Sequence, residues 1–256
     1  MREVDSRLQD ASFMSDTHAE YLEGLSTYFN SSFGSTLEKL ENFSKYVPRS
    51  TIARFLTKYE MFKKVLNVQG SIIECGVFLG GGLMTWAKLS AILDPANQQS
   101  RIICFDTFTG FPDISKEDKS EQTSTIARKG SMKSAAYDDI QKGIDIYDMT
   151  RYLNHIPKVE LVEGDISKTA EQYFVSNPHL VVSLLYLDLD LFKPTKKAIE
   201  MFRPVIPKGG IIAFDQINSP LWPGETLAAI EGLGIDKLKL ERFQFGTGIS
   251  YAVVGE

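Results

Sequence analysis

Five short apolar runs, most of them closed by an acid, punctuate the chain from Ser71 onward. They are Ser71–Val77, Arg101–Phe105, Lys158–Val162, Val181–Leu187 and Gly210–Phe214. Between them lie stretches with helical periodicity: Leu83–Leu93, Ser167–Phe174, Pro194–Phe202 and Gly224–Leu233. Near-continuous apolar strands alternating with helices predict a parallel sheet covered on both faces. Four of the five runs end in an acid within a residue or two. In open α/β sheets the ligand crevice lies beyond the carboxyl ends of the strands. Asp106, Asp165, Asp188 or Asp190, and Asp215 are therefore expected on one rim.

Flanking segments complete the organisation. Residues 1–49 are mixed and rich in Ser, Asp and Glu, with short helices expected at Ala19–Phe29 and Thr36–Phe43; they read as an N-terminal helical cap. Residues 50–256 form the main domain, opened by a helix over Ser50–Val68 in which Ile52, Phe55, Leu56, Tyr59, Phe62, Val65 and Leu66 recur at helical spacing. The tail, Leu238–Phe243 and Ile249–Val254, reads as a hairpin around Gly246-Thr247-Gly248. Between the second and third runs, residues 113–154 are polar and without a clear period, and a connection this long is usually functional or disordered. It is expected to be a lid or substrate-selecting insertion, helical over Tyr137–Gly143 and Ile146–Leu153.

Composition narrows the partners. With 28 Lys and Arg against 33 Asp and Glu the net charge is −5, which argues against nucleic acid or an anionic membrane as the main partner. Cys75 and Cys104 sit inside apolar runs and read as small buried hydrophobes in a reducing, cytoplasmic setting. The charged N-terminus lacks the apolar stretch of a signal peptide. His18, His155 and His179 have no metal-ligand spacing, so zinc is not expected. Apolar residues in the N-terminal helices (Tyr21, Leu25, Tyr28, Phe29) suit a dimer contact, so a homodimer or larger homo-oligomer is expected.

Four motifs carry the chemistry. The first, Glu74-Cys75-Gly76-Val77-Phe78-Leu79-Gly80-Gly81-Gly82, follows the first strand, where glycines allow a tight turn and a close ligand approach. Its spacing is neither the dinucleotide fingerprint nor a P-loop; a turn serving helix–strand packing is the plain alternative. The second, Phe105-Asp106-Thr107-Phe108-Thr109-Gly110-Phe111-Pro112, places an acid about 30 residues on, where it can accept hydrogen bonds from a ribose diol. Phe108 and Phe111 either wall the site or pack the core. In the third, Glu163-Gly164-Asp165, the acid either faces a bound base or caps the next helix. In the fourth, Tyr186-Leu187-Asp188-Leu189-Asp190-Leu191-Phe192-Lys193-Pro194-Thr195, two carboxylates share a strand face beside Asp215. Such a set suits a hard divalent ion with oxygen ligands, unless Asp190 caps the following helix.

In combination these motifs (E-x-G-V-x-x-G-G, F-D-T-F-x-G-F-P, L-D-x-D-L-F-x-x-T and G-G-x-I-x-x-D) resemble the macrocin/mycinamicin O-methyltransferase family, which includes the noviose sugar O-methyltransferase. The resemblance covers about residues 50–256. It implies a class I methyltransferase fold: a seven-stranded, mostly parallel Rossmann-like sheet with helices on both faces and a C-terminal antiparallel hairpin. It also implies S-adenosylmethionine as methyl donor, Mg2+, and a sugar hydroxyl as acceptor. Carried onto this chain, Glu74, Gly76, Gly80, Gly81, Asp106, Thr107, Gly164, Asp165 and Asp188 would line the cofactor site; Asp190 would be the general base. Asp188, Asp215 and Gln216 would hold the metal, although the family usually has an Asp where this chain has Gln216. Tyr59 and Arg54 are candidates for the methionine end of the cofactor. Another acceptor, such as a catechol, and a non-catalytic binding module remain alternatives.

Overall fold

The alternation of apolar residues on each run decides which face every strand presents, and the computed structural model describes the outcome for residues 16–123, 125–245 and 247–256. Residues 1–15 of the expected cap, and Gly246 of the expected turn, lie outside the described residues. Seven strands form one sheet: β1 (Ser71–Cys75), β2 (Ile102–Asp106), β3 (Val159–Glu163), β4 (Val182–Leu187), β5 (Ile211–Phe214), β6 (Glu241–Arg242) and β7 (Ser250–Val253), in the order β3-β2-β1-β4-β5-β7-β6. The first five are parallel, and β7 runs antiparallel to β5 and β6. The switch of direction between β2 and β4 on either side of β1 opens a crevice at the carboxyl ends of these strands.

On one face Ile72, Ile102, Cys104, Leu184, Tyr186 and Ile211 pack against α3 (Arg49–Val65), α4 (Gly81–Leu93) and α5 (Tyr137–Asp148). On the other Ile73, Cys75, Phe105, Leu185, Leu187 and Phe214 pack against α6 (Ile166–Ser176), α7 (Phe192–Phe202) and α8 (Pro223–Leu233). Successive strand residues point to opposite faces, so a two-sided core requires both sets to be apolar. Burial pushes the thiols of Cys75 and Cys104 well above their usual range, and the nearby Glu74 charge adds to it.

Two expectations need correction. Ile146–Leu153 is not a second helix: α5 runs unbroken through Gly143 to Asp148, because Ile140 and Ile144 bury one stripe, and turns follow. The expected first hairpin strand shortens to the two residues of β6. The chain divides into two compact units, one ending at Arg54 and the other running Phe55–Glu256. In the first, α1 (Asp16–Ser31) and α2 (Thr36–Glu41) are followed by a 3-10 turn; α2 is closed by a capping box between Ser35 and Glu38. Tyr21, Tyr28 and Phe29 are exposed there. Among the described residues no helix is long and apolar enough to cross a membrane.

Candidate functional site

Backbone hydrogen bonds chain the strand ends into one rim. Gly164 N–H donates to Asp106 O (2.8 Å), Gly76 N–H to Phe105 O (2.9 Å), Asp188 N–H to Cys75 O (2.9 Å) and Asp215 N–H to Leu187 O (3.0 Å). Asp106, Asp188 and Asp215 therefore stand at the same end of the sheet, as their positions in the sequence require. The closest approach is at Gly76 (φ 94°), where a Cβ would overlap the Asp188 carbonyl. No other residue type fits there without moving β4.

The loop after β1 is braced from below and from the side. Asp106 accepts from the N–H groups of Val77 (2.7 Å) and Phe78 (2.9 Å) through Oδ2, and from Phe108 N–H (2.7 Å) through Oδ1. A carboxylate has about four lone-pair sites, so one is left toward the rim. Thr107 is committed to its own turn, its hydroxyl donating to Gly110 O (2.8 Å). Gly80 caps α4, and beyond it Gly81 faces open space. The first N–H groups of α4 have no partner within the helix and no side-chain cap from Gly80, the kind of helix N-terminus that can receive an anionic or polar ligand group.

Glu74 is not in the crevice. It is 2 % exposed on the α3/α4 face of β1, where Lys58 Nζ donates to its Oε1 (3.3 Å). The same ammonium lies over the rings of Tyr186 (3.3 Å to the centroid) and Trp86 (4.7 Å). Alternation along β1 turns the Glu74 side chain into the core under the glycine loop, where a Cβ on Gly82 would overlap its Oε1. Lys58 itself had one sequence signal: it falls in the stripe Lys58, Met61, Phe62, Val65 that α3 buries.

Asp165 caps α6, accepting from Ser167 N–H (2.9 Å), so one of its oxygens serves the helix. Phe108 is core, edge-on to Tyr137 (5.5 Å), and Phe111 packs on Trp222 (5.7 Å). Tyr59 packs on the core beneath the loop, while Arg54 lies in the other unit.

Asp188 and Asp190 differ in backbone and burial. Asp188 is half-buried on the rim. Asp190 is 9 % exposed and has φ 61°, at the centre of a turn closed by Leu191 N–H to Leu189 O (2.6 Å). This is a γ-turn of the strained, positive-φ kind. Non-glycine residues held so cost about 1–3 kcal/mol and cluster at functional sites. Asp190 is not the cap of α7, whose N-cap residue, Leu191, makes no side-chain bond; that function falls to Asp118.

Asp215 is 8 % exposed and both its oxygens accept hydrogen bonds, Oδ1 from Tyr186 O–H (2.7 Å) and Oδ2 from Gln216 Nε2 (3.2 Å). Behind it lies Glu225, fully buried, whose Oε1 accepts from Gln216 N–H (2.8 Å). Burial holds its carboxyl well above the usual range; the Gln216 N–H opposes this, and the charges of Asp215, Asp190 and Asp188 reinforce it. Glu225 and Asp118 belong to no recognised motif, and Tyr186, which opens the fourth one, carried no assigned role there.

The donor set bears on Mg2+. Among the described residues no group of three or more His, Cys, Asp or Glu is gathered to hold a metal ion. Both Asp215 oxygens are engaged by donors, Oδ1 by Tyr186 O–H and Oδ2 by the Gln216 amide. In this arrangement Asp188, Asp215 and Gln216 are not gathered around one ion-sized position.

Comparison with known proteins agrees with this architecture. A family model described as macrocin-O-methyltransferase (TylF) matches residues 54–223. A crystal structure of the calicheamicin methyltransferase CalS11 is 32 % identical and covers 97 % of each chain, with a TM-score of 0.91. The apo structure of CalS11, described as a TDP-rhamnose 3′-O-methyltransferase of calicheamicin biosynthesis, is 31 % identical, covers 97 % of this chain and 100 % of its own, and has a TM-score of 0.82. The O-methyltransferase NovP, 20 % identical over 79 % of each chain with a TM-score of 0.62, shares the fold. No curated protein matches the sequence significantly.

Proposed function

Because this chain belongs to the macrocin-O-methyltransferase family, we propose that it transfers the methyl group of S-adenosylmethionine to a hydroxyl of a deoxysugar, nucleotide-linked or in a glycoside. One observation carries the reading: a braced glycine loop, an open helix N-terminus and three strand-end aspartates share the crevice of a methyltransferase sheet. The likeness to a TDP-rhamnose 3′-O-methyltransferase supports a sugar as acceptor.

When bound, S-adenosylmethionine supplies a methyl carbon made electrophilic by its sulfonium. Gly81, which faces open space, leaves room for it against the loop, and Gly76 and Gly80 let that loop close on Asp188 and Ile140; Asp106 lies at its ribose, Gly164 and Asp165 at its base, and Asp188 beside its amino-acid end. Thr107 serves by holding the loop that carries Asp106. Asp190 accepts the proton of the acceptor hydroxyl, a poor nucleophile at neutral pH that a positioned base activates. The remaining contribution is proximity: two substrates held in line in a crevice closed to water. Residues 113–154 act as the lid that selects the sugar.

The test has two arms. Calorimetry with S-adenosylhomocysteine is expected to show binding, unchanged in Asp190→Asn. Methyl transfer to nucleotide-linked deoxysugars is expected to fall about 10²–10⁴-fold in that variant. Absence of binding rejects the cofactor. Turnover of catechols but not sugars rejects the acceptor class, and full activity of Asp190→Asn rejects the base.

A further inference from the structure

We propose that Asp118, in the polar segment between β2 and α5, is a positioning residue for Asp190; the inference rests on the reading of Asp190 as the base. Asp118 is 3 % exposed and its carboxylate joins two distant parts of the chain. Its Oδ2 accepts from the N–H and the hydroxyl of Ser115, both at 2.7 Å. Its Oδ1 accepts from Phe192 N–H at 2.6 Å, across 74 residues of sequence. Phe192 is the first residue of α7 and lies two positions after Asp190.

The need for this bond follows from the turn. Asp190 sits at positive φ in a γ-turn, a conformation that the local chain does not favour and that persists only where its surroundings over-determine it. The entry of the turn is fixed by β4, through Asp188 N–H to Cys75 O. Its exit is the N-terminus of α7, and Leu191 provides no cap there. Asp118 supplies the acceptor that a local Ser or Asp would normally give, placing an anion at the positive end of the helix. Gly224 of α8 makes room for it, since a Cβ there would overlap Asp118 Oδ1 and crowd Phe192 N. The anchored segment continues over the rim: Ser120 Oγ donates to Pro220 O (2.7 Å), and Phe111 packs on Trp222. The same carboxylate thus ties the insertion to the backbone that aims Asp190, so the base is set in place only when this part of the insertion is docked.

The experiment compares wild type, Asp118→Asn, Asp118→Ala and Ser115→Ala. Amide hydrogen exchange is read over residues 189–193 and 74–82, S-adenosylhomocysteine affinity by calorimetry, and methyl transfer with TDP-rhamnose as the acceptor. In Asp118→Ala, exchange over 189–193 is expected to rise at least tenfold, while 74–82 and the affinity stay within twofold. The kcat is expected to fall at least thirtyfold with KM for S-adenosylmethionine within threefold. Asp118→Asn keeps an oxygen for Phe192 N–H but turns its N–H2 toward Ser115 N–H, and is expected to recover part of both losses; Ser115→Ala gives a smaller change of the same kind. Should Asp118→Ala not fold, the contrast between Asp118→Asn and Ser115→Ala carries the test. Unchanged exchange at 189–193, or equal loosening of 74–82 with loss of cofactor affinity, overturns the proposal. If wild type binds S-adenosylhomocysteine but does not methylate TDP-rhamnose, that choice of sugar fails, and the exchange arm decides on Asp118.

Discussion

Replacing Lys58 by Met removes a positive charge that lies 4 % exposed beneath the glycine loop and leaves Glu74, 2 % exposed, without that ammonium. At 3.3 Å and an effective dielectric near 20, the direct attraction is about 5 kcal/mol. Much of it is offset by desolvation of the two ions, so the net worth of the pair is small, but removing one member costs about 3–5 kcal/mol. The faces of Tyr186 and Trp86 add about 0.5–2 kcal/mol that Lys58→Met also forfeits. Glu74→Gln is expected to cost a comparable amount by leaving the ammonium buried without its anion. The double variant Lys58→Met/Glu74→Gln carries no uncompensated charge and is expected within about 2 kcal/mol of wild type. Urea unfolding gives the four stabilities, with the fluorescence of the two buried tryptophans, Trp86 and Trp222, as the signal. A coupling energy of about 3 kcal/mol or more is expected. Additivity within about 0.5 kcal/mol would refute the argument, because the two charges would then not depend on one another.

Two further outcomes follow from the hydrogen bonds. Asp106→Asn leaves one oxygen for three N–H groups, so at least one donor of the loop loses its partner, a cost of about 1–3 kcal/mol. Calorimetry is expected to show S-adenosylhomocysteine affinity reduced about 10–100-fold; unchanged affinity would mean the brace is dispensable. Lys158 donates to Asn97 O and Ser100 O, and burial lowers its pKa to about 8, with the Arg151 charge acting the same way and Asp94 opposing. The folded chain therefore releases this proton near pH 8 and the unfolded chain near 10.5, so between them the unfolded state binds more protons and stability rises with pH. Relative to Lys158→Met, wild type is expected to gain on the order of 2 kcal/mol between about pH 7 and pH 10. A flat or falling difference in denaturation midpoints would contradict this sign.

Much of the fold was legible because it depends on local rules. The apolar runs that became β1 to β5 are bounded within one or two residues, and in β1, β4 and β5 burial on both faces leaves no freedom of pattern. The rim was legible for a related reason: parallel strands put all their carboxyl ends on one side, so Asp106, Asp188 and Asp215 had to meet there. Errors arose where the pattern was neutral. Gly143 looked like a break, yet burial of Ile140 and Ile144 carries α5 across it. The alternation of β1 sets Glu74 beside Tyr186, its partner across the β1–β4 pair, a neighbour that no contiguous motif names.

The sequence by itself determined the sheet, the glycine turn, the set of acids and the family, all of which follow from periodicity and from short contiguous motifs. Only the tertiary structure decided what each acid does. Asp106 braces a loop, Asp165 caps a helix, Asp215 is held by Tyr186 and Gln216, and Asp118 and Glu225 enter the neighbourhood of the rim from segments that carry no signature. The physical reason is that a carboxylate's role is set by which donors reach its oxygens. Those donors come from backbone and side chains brought together by packing over tens of residues, a distance that no local pattern encodes.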